Sequence, residues 1–79
     1  MKEAVFIIGI DCAKCEMMKP HIQKWSENNW YEFQNFRFDD IAVKEFNIQS
    51  VPMLILKENG NISQILDMEW MVNLIVKQK

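Results

Sequence analysis

Cys12 and Cys15 are the only cysteines in the chain, and two residues separate them in Asp11-Cys12-Ala13-Lys14-Cys15-Glu16. A pair at this spacing can form a reversible dithiol/disulfide, supply half of a metal site, or fill core space as two small hydrophobes. A helix starting at Cys12 would place its sulfur beside unpaired backbone N–H groups and the positive end of the helix dipole, which favour a thiolate. Cys15, one turn later, would lie on the same side. Lys14 should favour that thiolate, whereas Asp11 and Glu16 should oppose it, so a moderately lowered Cys12 pKa is expected. The metal reading needs more ligands than the chain offers nearby. His21 could be a third, but no second Cys-x-x-Cys completes a tetrahedral zinc set.

The pair is held between two elements of different period. Residues 3 to 10 form an apolar, β-branched run closed by Gly9, which reads as a strand covered on both faces. From Cys12 onward the apolar positions Cys15, Met18, Ile22 and Trp25 follow a helical spacing, and the helix should end near Asn28-Asn29. Pro20 lies inside this helix and should kink it. A second strand is expected at residues 31 to 38, then a short helix from Ile41 to Phe46, capped by Asp39-Asp40 and ended by Asn47. Val51-Pro52 precedes a third strand beginning at Met53. Asn59-Gly60 is a two-residue hairpin signal joining it to a fourth strand, residues 61 to 66. Asp67 can cap a last helix with apolar Met68, Met71, Val72, Leu74, Ile75 and Val76, which runs out in Lys77-Gln78-Lys79. The expected order is βαβαββα: one α/β domain over residues 1 to 79, with a four-stranded mixed sheet flanked by three helices.

Composition narrows the function classes. A chain of 79 residues with 49% hydrophobic content and only two Gly and two Pro has material for one core and none for a linker. The formal net charge is −2, without a basic stripe, which argues against nucleic acid and an anionic membrane surface as partners. The N-terminal apolar run is too short for a signal segment or a membrane span. One cysteine pair is not a disulfide framework, and in a reducing cytosol such a pair is catalytic or metal-binding. Trp25, Trp30 and Trp70 are expected to pack in the core or at its edge.

Cys12-x-x-Cys15 at a strand-to-helix turn, Met17, Pro20 in the following helix and Val51-Pro52 before the third strand together resemble the thioredoxin and glutaredoxin superfamily. The resemblance covers nearly the whole chain, in a minimal form without the additional N-terminal strand and helix of full thioredoxins. It implies a minimal thioredoxin-like fold and a thiol-disulfide oxidoreductase activity on protein disulfides, without a bound cofactor or metal. Cys12 would be the exposed nucleophile and Cys15 the buried resolving thiol. Pro52 would be cis and face the dithiol, Val51 would offer its backbone to an extended substrate segment, and Met53 would add apolar contact. The implied partners are a disulfide-containing protein and an unidentified reductase or thiol as electron donor, with the protein a cytoplasmic monomer.

Several positions depart from the family pattern. Asp11 stands where thioredoxins carry tryptophan, Ala13-Lys14 replaces Gly-Pro, and Phe6 stands where they bury an acid. Ser50-Val51-Pro52 is close to the Thr-Val-Pro of glutaredoxins, yet Cys-Pro-Tyr-Cys and the Gly-Gly pair before the last helix are absent. The alternative is a non-catalytic binding module or metal-binding protein using the same two cysteines.

Overall fold

In β1 (Lys2–Ile8), Ala4, Val5, Phe6 and Ile7 are all buried, so a strand that alternates its side chains across a sheet has apolar cover on both faces. The computed structural model describes every residue except Glu45, Asn47, Gln49, Gln78 and Lys79. After β1 come α1 (Ala13–Asn28), β2 (Glu32–Arg37), a 3₁₀ turn (Ile41–Val43), β3 (Met53–Glu58), β4 (Asn61–Leu66) and α2 (Met68–Lys77). The sheet order is β2-β1-β3-β4. β1 runs parallel to β2, from Glu3 beside Glu32 to Ile8 beside Arg37, and antiparallel to β3, from Lys2 beside Glu58 to Ile7 beside Met53.

One face of the sheet presents Ala4, Phe6, Leu54, Leu56 and Leu66 to Met18, Ile22 and Trp25 of α1 and Met71 of α2. The other carries Val5, Ile7 and Ile55 under Val43, with Phe36, Phe46, Ile48, Val51 and Met53 packed around them. Both α-helices therefore serve the first face, and the second is covered by the connection between β2 and β3.

The expected three helices are corrected to two α-helices and one 3₁₀ turn. Between Asp40 and Phe46 the backbone bonds run three residues back: Val43 N–H to Asp40, Lys44 N–H to Ile41 and Phe46 N–H to Val43, at 3.0 to 3.2 Å. Ile41 and Val43 stand two residues apart, which no single α-helical face accommodates. Val43 is buried and Ile41 points outward. The expected stop at Asn47 lies outside the described residues, as do the last two residues of the C-terminal tail.

α1 continues through Pro20 without a break. It ends at Asn28 in a turn where Tyr31 N–H bonds Ser26 C=O at 2.8 Å and Trp30 N–H bonds Glu27 C=O. This is a Schellman closure, with Trp30 at φ 65° in the left-handed position that glycine usually fills. The turn carries the indole away from the protein, so Trp30 is 88% exposed and does not pack as expected. Trp70 is also exposed, because α2 turns Met68, Met71, Leu74 and Ile75 toward the sheet. Of the three tryptophans only Trp25 is core, stacked on Tyr31 with ring centroids 5.3 Å apart.

The hairpin forms as the sequence indicates, with positive φ at both Asn59 and Gly60. A bulge opposite Leu56 and Lys57 shifts the β4 register, and Ser63 Oγ donates to Leu56 C=O at 3.0 Å. Asp67 caps α2, its Oδ1 accepting Trp70 N–H at 3.1 Å.

Trp30→Gly should stabilise the protein by about 1 kcal/mol, because it removes a left-handed β-carbon and almost no buried surface. Urea unfolding measures this, and a loss of stability would mean that the indole makes a contact the fold depends on.

Candidate active site

The two sulfurs are positioned by the strand-to-helix turn at the end of β1. Cys12 is the N-cap residue of α1, with extended backbone at φ −101° and ψ 98°. Its Sγ accepts the backbone N–H of Cys15 at 3.1 Å, and its carbonyl accepts Glu16 N–H at 3.2 Å, the first bond of the helix. A cysteine sulfur thus takes the place of the serine or aspartate oxygen that usually caps a helix. Cys12 and Cys15 are joined as a disulfide, with Cα atoms 5.2 Å apart. Cys15 is buried on the core side of α1, whereas Cys12 is half-buried.

Asp11 occupies the left-handed region at φ 50°, which reverses the chain between strand and helix. Asp tolerates this conformation better than most side chains, so its place before Cys12 has a local backbone reason. Asp11 and Lys14 are both exposed. A cavity of about 190 Å³ opens beside the disulfide, lined by Ile8, Gly9, Asp11, Cys12, Cys15, Glu16 and Lys19. Two carboxylates and one ammonium thus border the sulfurs. Lys14 is not among its lining residues.

The register of the sheet brings a second segment to the same end. Because Ile7 pairs with Met53, the residues just before β3 lie level with those just after β1. The Val51-Pro52 peptide bond is cis, as the resemblance implies, with Pro52 buried and Val51 half-buried. A β-carbon built on Gly9 would lie 2.8 Å from Val51 Cγ2 and 3.9 Å from Cys12 Cβ, so Val51 and Cys12 flank Gly9 closely. Val51 also borders an apolar cavity of about 250 Å³ with Phe38, Ile48 and Ser50.

The remaining expected site residues fall elsewhere. Met53 is half-buried and packs against the second apolar cluster, and Pro20 lies in α1 outside the cavity beside the disulfide. His21 lines a separate groove between α1 and α2 with Met17, Met18, Met68 and Val72. Among the described residues no three His, Cys, Asp or Glu side chains gather as a metal site. Sequence reasoning did not place Gly9 and Lys19 beside the disulfide, nor Phe38 and Ile48 beside Val51. Gly9 was visible as the end of a strand, but its contact with Val51 depends on the pairing of β1 with β3.

The fold is similar to that of solved thioredoxins. Fasciola hepatica thioredoxin superposes with a TM-score of 0.75 at 14% identity, over 99% of this chain and 81% of the other. Thioredoxin 1 of Thermosipho africanus gives 0.76 at 15% identity, over 96% and 92%. The Schistosoma mansoni thioredoxin pre-protein gives 0.76 at 20% identity, over 96% and 77%. No family model matches the sequence, and neither does any curated protein. The chain therefore has the thioredoxin fold, with a cysteine pair able to form a disulfide at its helix N-terminus.

Replacing Asp11 separates its backbone role from its charge. Asp11→Val should cost about 1–2 kcal/mol, because a β-branched residue is poorly accommodated at positive φ, while Asp11→Asn should stay within about 0.5 kcal/mol. Equal stability of the two variants in thermal unfolding would show that the turn relaxes.

Proposed function

We propose that this chain is a thiol-disulfide oxidoreductase that reduces protein disulfides through a reversible Cys12–Cys15 couple. The observation that carries the reading is the half-buried Cys12 sulfur at the N-cap of α1, hydrogen-bonded by Cys15 N–H and disulfide-linked to a buried Cys15. The hydrogen bond and the helix dipole both stabilise negative charge on that sulfur in the reduced protein.

In the reduced form the Cys12 thiolate attacks one sulfur of a substrate disulfide. A Cys12–substrate disulfide forms, the substrate S–S bond breaks, and the leaving thiolate takes a proton. Cys15 then gives up its proton and attacks Cys12 Sγ, which releases the second substrate thiol and leaves Cys12–Cys15 oxidised. Two electrons pass from the protein dithiol to the substrate. A separate reductase or small thiol restores the dithiol, and the couple needs no bound cofactor. The half-buried Val51 beside Cys12 is suited to align an extended substrate segment through its backbone N–H and C=O, with Pro52 fixing the approach and Met53 supporting the loop from the second apolar cluster. Asp11 and Lys14 bias the charge on Cys12 in opposite senses. A reducing compartment such as the cytoplasm suits this direction of flux, and no helix among the described residues is long and apolar enough to cross a membrane.

Cys12→Ser should reduce insulin disulfides only at the rate of the added dithiothreitol, whereas Cys15→Ser should accumulate a mixed disulfide with insulin, visible by mass spectrometry. Undiminished catalysis by folded Cys12→Ser, or no adduct with Cys15→Ser, would refute the mechanism.

A further inference from the structure

The two glycines serve opposite purposes. Gly60 has φ +82° and open space around it, so the hairpin uses its conformational freedom. Gly9 lies outside the positive-φ region, so an L-residue could adopt its backbone. What the site uses there is the missing side chain. A β-carbon on Gly9 would meet Val51 Cγ2 at 2.8 Å, short of the 3.4 Å at which ordinary contact begins.

We infer that Gly9 is a positioning residue that sets the separation between Cys12 and the Val51 backbone, and so makes the site selective for extended protein disulfides over small ones. This rests on the oxidoreductase reading above. Val51 cannot readily yield to a new β-carbon by rotating, since a β-branched side chain is stiff at χ1 and this one packs against the second apolar cluster. The loop that carries Val51 must therefore move by about 0.6 Å, the difference between 2.8 and 3.4 Å. A protein substrate has to meet two requirements together: its strand pairs with Val51 and its sulfur reaches Cys12. A displacement on the order of 1 Å between two such points costs up to about 100-fold in rate. A small disulfide meets only Cys12 and does not register the displacement.

The test uses pre-reduced protein in single turnover, with insulin and with hydroxyethyl disulfide as oxidants. Gly9→Ala should lower the rate constant toward insulin by about 10-fold and leave that toward hydroxyethyl disulfide unchanged. Adding Val51→Ala removes Cγ2, and the closest remaining Val51 atom to the new β-carbon is Cβ, at an ordinary 3.7 Å. The double variant should therefore match Val51→Ala alone on both substrates. Equal losses toward both oxidants, no loss toward insulin, or no rescue by Val51→Ala would overturn the inference. If Gly9→Ala does not fold, the double variant is compared with Val51→Ala: equal rates on both substrates uphold the inference, and a deficit toward both overturns it. Wild-type protein inactive toward both oxidants would instead remove the oxidoreductase reading itself.

Discussion

β1 has a strand on each edge and apolar cover on each face, so none of its residues from Ala4 to Ile7 can turn toward water. That constraint fixes where everything else must be. A strand parallel to β1 can be reached only by a crossover, and α1 is that crossover, which puts the helix N-terminus at the carboxyl end of β1. The antiparallel pairing of β1 with β3 brings the chain before β3 to the same end. Sheet register thus brings Cys12 and Val51 to Gly9, which both closely approach. Open α/β sheets place their ligands at this end of the strands for the same topological reason.

The helices then decide how the sulfurs differ. α1 buries one stripe, Cys15, Met18, Ile22 and Trp25, against the sheet, so the second cysteine is drawn into the core by the periodicity that holds the helix in place. Cys12 precedes the first helical residue and escapes that burial. A half-buried and a buried sulfur, bonded to one another, follow from a three-residue offset at a helix start. Helix cover is needed on only one face, because the second cluster is closed by the segment carrying Val43 and Val51. Val51 consequently packs on the second cluster and also lies against Gly9, next to the cysteine turn.

Much of this was legible in the chain. The double-faced burial of β1, the helical stripe after Cys12, the Asn59-Gly60 hairpin and the Asp67 cap are local patterns, and each formed within a few residues of its expected bounds. The segment after β2 reads as an α-helix because acidic residues before an apolar run look like a cap, whereas the two-residue spacing of Ile41 and Val43 suits the 3₁₀ turn that forms. Trp30 was misplaced for a different reason. Nothing in its neighbours announces that a tryptophan rather than a glycine will take the left-handed turn position. In the site, Cys12 and Cys15 were recognisable from spacing, and the cis Val51-Pro52 bond from resemblance. The role of Gly9 was hidden, since a missing β-carbon matters only when another strand's residue arrives beside it.

The reduction potential of the Cys12–Cys15 couple, obtained by equilibrating the protein in defined thiol/disulfide buffers and counting free thiols, tests the reductase assignment most directly. A value of about −200 to −270 mV, the range of glutaredoxins and thioredoxins, is what a donor of electrons to protein disulfides requires. A value near −120 mV would make the protein an oxidant of its clients, and failure to form any reversible disulfide would contradict the dithiol mechanism altogether.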